Sequence, residues 1–298
     1  MIRLVVPDGS MQNFVTDLLT RAGLLTGTMA KATHAGEPAV PELVSEIQFE
    51  RPQVIPQLVA DGYFDAGIAG QDWMQELGLV LPVLLTIPHG RTQAGPVKIV
   101  LAFPEKSEHT GIQDLPHGSL VYTEYANITR AFCNDNRRED LQVRLWPGGT
   151  ERTIRYGARA IVELTETGTQ LDANRLRIIS TIMLSNTVLV TNPISYEDEQ
   201  KQRLIKFLAW RLQGAWSAGK FVMLVANVPS RLLDQATEIL GGLKGPTVNK
   251  VRGPGGYYAI ESCIPREEEP NISFKLGELG VQDIVISDPR IVTSLRTD

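Results

Sequence analysis

The chain has 298 residues, more than one ordinary hydrophobic core accommodates, so two or three domains are expected. Apolar residues make up 43% and charged residues 21%, a globular balance. The net charge of -5 excludes a surface built for nucleic acid, which needs a basic excess.

Ile2 to Val6 is a short apolar run, read as a strand, closed by Pro7-Asp8-Gly9-Ser10 and followed by a helix from about Ser10 to Gly23. It lacks the pattern of a secretory signal, and no run of about 18 apolar residues occurs, so a cytoplasmic protein without membrane spans is expected. Arg51 to Gly62 is predicted as a helix, and Phe64 to Gly70 as a small-residue strand that leads into a helix at Gln71-Asp72-Trp73. Strands are predicted at Val97–Phe103, Gly118–Thr123, Leu141–Trp146 and Ala160–Leu164, with helices from Asn127 and over Glu151–Gly157. This is the alternation of an open, doubly wound sheet. Strand material returns over Ile178–Val190. A long helix follows over Glu197–Ser217, with Leu204, Phe207, Leu208, Leu212 and Trp216 on one side. From Phe221 onward the order is β-α-β-β-α-β, a ferredoxin-like signature.

Cys133 and Cys263 are far apart, and the four histidines are scattered, with His89 and His117 in loops after prolines. Neither a disulfide framework nor a dedicated protein metal site is expected. The strongest motif is Glu163-Leu-Thr-Glu-Thr-Gly-Thr-Gln-Leu171, a strand delivered to a Thr- and Gly-rich turn ahead of a helix. Main-chain N–H groups around Thr167-Gly168-Thr169, with the hydroxyls of Thr165, Thr167 and Thr169, suit a phosphate dianion. The turn lacks a Walker lysine and a three-glycine dinucleotide fingerprint. The alternative is a plain capped helix start. Gly148-Gly149-Thr150-Glu151 repeats the geometry, with Glu151 placed to orient a hydroxyl or Mg2+. Asp65-Ala-Gly-Ile-Ala-Gly-Gln-Asp72 and Thr123-Glu124-Tyr125-Ala126-Asn127 sit at further strand ends; tight packing and helix capping are their alternatives. Four such turns in one sheet system fit a cleft between two α/β lobes.

These segments resemble the ATP phosphoribosyltransferase family in its long form. The likeness is carried by residues 50–73, 122–132, 148–151, 160–179 and 185–192, and by 227–240 and 245–248 in the last part. The resemblance implies an α/β catalytic core of two lobes like a type II periplasmic binding protein, with a C-terminal ferredoxin-like regulatory domain. Lobe I would comprise 1–93 and 183–219, lobe II 94–182, and the regulatory domain 220–298. It implies transfer of the phosphoribosyl group of 5-phosphoribosyl 1-pyrophosphate (PRPP) to N1 of ATP with release of pyrophosphate, in histidine biosynthesis. Mg2+, feedback inhibition by histidine, and assembly into hexamers or dimers are implied too. Thr165, Thr167, Gly168, Thr169, Gln170 and Leu171 would hold PRPP, and Glu151 and Glu163 would be catalytic. Arg51, Asp65, Gly67, Gly70, Asp72, Glu124 and Tyr125 would form the ATP cleft, and Thr247 would mark the histidine site.

The chain departs from the family pattern at four places. Asp8 stands where the first turn has a cation, Gln170 replaces a threonine, Arg159 replaces an acid, and residues 31–40 lack a basic signature. Asp8 would repel a phosphate chain. It motivates two other readings: a phosphoribosyltransferase with a different acceptor, or a non-catalytic ligand-binding subunit of the same fold.

Overall fold

The structure is a computed structural model, describing residues 1–30, 33–88, 95–252 and 255–293. The expectations for His89 and for part of the segment 31–40 fall outside the described residues. The chain forms two compact units. One comprises Met1–Asp17 with Leu25–Ala209, the other Leu18–Leu24 with Trp210–Asp298.

The first unit contains two sheets. In chain order its elements are β1 (Ile2–Pro7), α1 (Gln12–Arg21, which runs on into the second unit), β2 (Leu25–Ala30), β3 (Ala35–Pro38), β4 (Val44–Glu50), α2 (Ile55–Ala60), β5 (Ala66–Gly70), α3 (Gln71–Glu76) and β6 (Val83–Ile87). Next come β7 (Val97–Pro104), β8 (Leu120–Thr123), α4 (Ala126–Asp135), β9 (Gln142–Leu145), β10 (Ala160–Thr165), α5 (Thr169–Ala173), β11 (Leu176–Ser185), β12 (Thr187–Thr191), α6 (Pro193–Glu197) and the first half of α7 (Glu199–Ala218). The sheet orders are β2-β3-β4-β1-β5-β12-β6 and β11-β7-β10-β8-β9.

Each sheet has a parallel trio, β4-β1-β5 in one and β10-β8-β9 in the other. On one side each is flanked by an antiparallel strand, β12 or β7, supplied by chain that has just left the other sheet. The expected two-lobed core is therefore present, with the chain crossing between lobes after β6 and again at Asn186. Because the trios are parallel, their carboxyl ends gather on one side of each sheet: Asp8, Arg51 and Gln71 in lobe I, Glu124, Trp146 and Glu166 in lobe II. Open α/β sheets receive ligands at that side.

The cores follow from apolar strand runs. Ile55 and Val59 of α2 pack on Val5, Val188 and Val190. In lobe II, α4 covers one face through Ile128 and Cys133, against Val97, Ile99, Val121 and Val162. α2 is half the predicted length: Pro52 and Pro56 offer no N–H, and the helix starts only at Ile55. The buried stripe of α7 is Ile205, Leu208, Leu212, Ala215 and Ala218, whereas Phe207, assigned to the core from sequence, is 47% exposed. Leu208 and Leu212 belong to both the predicted and the observed stripe.

The second unit holds the rest of α7, then β13 (Phe221–Pro229), α8 (Leu233–Leu240), β14 (Thr247–Lys250), β15 (Tyr257–Pro265), α9 (Glu269–Leu279) and β16 (Gln282–Ser287). The sheet order β14-β15-β13-β16, all antiparallel, is that of a ferredoxin-like module. Leu224, Ala226 and Ile260 face Ala236, Leu240, Ile272 and Leu276 of the two helices. Among the described residues no helix is long and apolar enough to cross a membrane.

Candidate functional site

Between the lobes, at the carboxyl end of β5, lies a cleft. It is lined by Ser10, Met11, Pro52, Gln53, Gly70, Asp72, Trp73, Val97, Tyr125, Leu164, Ser185, Asn186 and Thr187. Two glycines of the same strand part company here. A Cβ on Gly67 would meet Val59 at 2.8 Å and Ile55 and Val5 at 3.0 Å, so Gly67 serves helix-sheet packing and not the cleft. A Cβ on Gly70 would fall 2.1 Å from Asp72 Oδ1, so Gly70 makes room for that carboxylate at the cleft wall.

Asp72 is buried and fully engaged. Ser185 Oγ donates to its Oδ1 at 2.6 Å and Tyr125 Oη to its Oδ2 at 2.8 Å, while its own N–H donates to Ser185 Oγ at 3.0 Å. Tyr125, fully buried, stacks on Trp73 with ring centroids 4.7 Å apart. Asp72 and Tyr125 thus join the lobes beneath the cleft. The half-buried Trp73 lines it as an aromatic wall, and sequence reasoning had noticed Trp73 only as the start of a helix.

One expectation is corrected and one pair of alternatives is decided. Asp65 precedes β5, at the end opposite Gly70, about 16 Å away at ~3.3 Å per residue. There it accepts from Lys201 Nζ (2.7 Å), Ser195 Oγ (2.7 Å) and Arg3 N (2.7 Å), tying α6 and α7 to the sheet. Burial pushes its carboxyl up, yet the hydrogen bonds from Lys201, Arg3 and Ser195 outweigh burial and hold it below the usual range. It is a structural ion, outside the cleft. At the start of α4, where a hold for a ribose or base and a capped helix are the two readings, the structure shows the capped helix. The buried Glu76 carboxylate accepts from Asn127 N (2.9 Å) and Ile128 N (3.0 Å), and Asn127 Nδ2 donates back to Glu76 O at 2.8 Å.

Glu124 accepts from the Gly148 N–H, which ties β8 to the Gly148-Gly149 turn. Both glycines are left-handed, with φ of 71° and 64°, and Glu151 follows in a 3-10 helix over Thr150–Tyr156. Burial pushes the Cys133 thiol up to about 11, so it is no thiolate nucleophile at neutral pH.

The β10–α5 turn is organised differently from the sequence reading. Gly168, with φ of 86°, turns the chain, and its N–H donates inward to Thr165 Oγ1 at 3.0 Å. Thr165, 8% exposed, therefore shapes the turn rather than facing a ligand. Thr169 N contacts Thr167 Oγ1 at 3.4 Å, and the Thr167 and Thr169 hydroxyls lie 2.8 Å apart on the exposed side. The N–H groups of Thr167 and Gln170 make no hydrogen bond to any described residue, and both residues are exposed. Leu171 anchors the helix in the lobe II core beside Leu176. Glu163 lies two residues before Thr165 on β10, half-buried on the strand face that also carries Ile161.

A family profile described as ATP phosphoribosyltransferase matches residues 51–214, and the profile of the family's C-terminal domain matches residues 218–288. The chain belongs to the ATP phosphoribosyltransferase family. Curated relatives of that name include those of Nitratidesulfovibrio vulgaris, 34% identical over 95% of both chains, and Solibacter usitatus, 31% identical over 96% of both. Among solved structures, a chain of the ATP phosphoribosyl transferase (HisG:HisZ) complex from Thermotoga maritima is 26% identical with a TM-score of 0.60. The match covers 72% of this chain and 97% of that one. The protein is an ATP phosphoribosyltransferase of the long form, catalysing the first step of histidine biosynthesis from PRPP and ATP.

Proposed function

We propose that PRPP docks on the β10–α5 turn and that the ATP base enters the cleft beside Trp73. The observation that carries this reading is the pair of exposed, unengaged N–H groups at Thr167 and Gln170, flanking two threonine hydroxyls at a sheet's carboxyl end. α5 has only five residues, so individual N–H donors, more than a long helix dipole, supply the attraction for the 5'-phosphate. A sugar fixed by its phosphate presents its anomeric carbon to the acceptor nitrogen in line, which removes much of the entropic barrier. Displacement there passes through an oxocarbenium-like state, and the carboxylates of Glu163 and Glu151 are the groups we assign to the ribose hydroxyls and the developing cation.

The alternative of a different acceptor rested on the charge of Asp8; Arg51 Nε stands 3.7 Å from that carboxylate and offsets it. Relatives that match over 95% of both chains and carry the name of the enzyme argue against a purely binding subunit.

Mg2+ is assigned as a companion of the substrates. Among the described residues no three His, Cys, Asp or Glu side chains gather to hold a metal. We assign it to the phosphate oxygens of the substrates, where Mg2+ is commonly carried with one or two carboxylates. When bound it would neutralise the leaving pyrophosphate. For the second unit we assign histidine binding near Thr247 on the edge strand β14, and self-association into dimers or hexamers. The open sheet face, with Val285 60% exposed beside half-buried Met223 and Val225, supports association. The reading places the enzyme in the cytoplasm.

One assay tests these assignments together: pyrophosphate release from PRPP, Mg2+ and ATP, with and without millimolar histidine. Release that requires ATP and falls with histidine is expected. Release with another nucleotide but not ATP would sink the acceptor assignment, and indifference to histidine would sink the effector assignment.

A further inference from the structure

The first turn of the cleft presents an acid to a reaction that brings in two polyanions. Asp8 follows β1, its N–H donates to Glu50 O at 2.9 Å, and the residue is 7% exposed. Its Oδ1 is buried with no hydrogen-bond partner, and its Oδ2 faces Arg51 Nε at 3.7 Å. Arg51 leaves the end of β4, the neighbouring strand, and its side chain is 73% exposed. Its Nη1 lies 3.9 Å from where a Cβ on Gly9 would stand, so the guanidinium sits beside Gly9. The residues that come next on both strands, Ser10 and Met11 after one and Pro52 and Gln53 after the other, line the cleft.

A buried carboxylate without a counter-charge is costly, and here it would also repel incoming phosphates. One exposed guanidinium answers both problems. Arginine carries five N–H donors in a rigid fork, so a side chain steadied through Nε still turns the remaining donors outward for a bidentate grip on a phosphate. Only the arginine side of the pair is open to solvent, so the guanidinium offsets the buried carboxylate and still aims its free donors outward.

We propose that Asp8 is a positioning residue that acts through Arg51, holding the guanidinium at the cleft mouth where it binds a phosphate or pyrophosphate group of a substrate. The inference rests on the cleft reading above but not on the β10–α5 turn.

The test uses the full chain as wild type, Asp8→Asn, Asp8→Glu, Arg51→Ala and the Asp8→Asn/Arg51→Ala double variant, each checked for an unchanged unfolding midpoint. kcat and KM are measured for PRPP and for ATP, with PRPP affinity by calorimetry. Arg51→Ala should raise KM for at least one substrate about 10- to 100-fold, the worth of a charge-assisted hydrogen bond. Asp8→Asn should raise the same KM several-fold, Asp8→Glu should restore most of it, and the double variant should be no worse than Arg51→Ala alone. The proposal is overturned if Asp8→Asn lowers that KM or leaves it unchanged, or if its effect multiplies that of Arg51→Ala. Gly168→Ala, which shifts the turn that aims the Thr167 and Gln170 N–H donors, serves as the separate check on the sugar-phosphate turn. Unchanged PRPP affinity there would sink that reading without touching the coupling of Asp8 to Arg51.

Discussion

At Gly168 the φ of 86° lies in the left-handed region, where a side chain is strained whatever space surrounds it. Space is not the obstacle, because a Cβ there would meet nothing closer than Ile178 at 3.6 Å. Gly168→Ala should therefore cost about 1 kcal/mol of stability, the usual strain for such a position. By shifting the turn that aims the Thr167 and Gln170 donors, it should weaken PRPP binding at least tenfold. Calorimetry beside a melting curve checks both numbers; full PRPP affinity in a destabilised variant would count against the turn. The sequence marked this glycine correctly but misjudged its use. A Thr-Gly turn announces that N–H groups are near, and it does not reveal which of them the loop spends on itself. Only the folded turn puts Gly168 N on Thr165 Oγ1. The same limit hid the difference between Gly67 and Gly70, three residues apart on one strand. One is demanded by three aliphatic neighbours and the other by a carboxylate. Asp65 and Asp72 flank that strand symmetrically in sequence, but strand direction puts only Asp72 at the cleft.

At the level of elements, the apolar runs of β1, β7, β8, β10, β13 and β15 were legible because buried strands read as short blocks of branched residues. β2 and β3 were not, since Leu25-Thr-Gly-Thr-Met-Ala30 carries no apolar alternation and exists as a strand by pairing at the sheet edge. Nor could sequence spacing show that α3 and α4, fifty residues apart, meet end to end. That meeting consumes the anion-binding capacity of α4, because a buried Glu76 takes the place a ligand would have had. Glu76→Ala would leave two N–H donors without partners and should cost about 2 kcal/mol, in keeping with the penalty for unsatisfied buried groups. Denaturant unfolding measures it. A change below a few tenths would mean that water replaces the carboxylate and that the contact does not hold the lobes.

On the scale of the whole molecule, the architecture follows from one topological habit used twice: each lobe borrows an antiparallel strand from chain returning out of the other. The crossing after β11 puts Ser185, Asn186 and Thr187 in the cleft wall, so the connection between lobes is itself part of the site. The alternation of predicted strands and helices suggested two lobes. The residues of the join were missed because nothing local distinguishes Ser-Asn-Thr at a crossover from the same triplet in a surface loop. The β-α-β-β-α-β order after Phe221 was legible because β13 and β15, its two central strands, bury one face and show the other.

The account stands on where the donor's terminal phosphate goes. Crystals soaked in PRPP locate it. We predict its 5'-phosphate oxygens within hydrogen-bond distance of Thr167 N and Gln170 N, with the Thr167 and Thr169 hydroxyls alongside. PRPP bound at the Gly148-Gly149 turn or elsewhere, with the β10–α5 turn left to solvent, would contradict it.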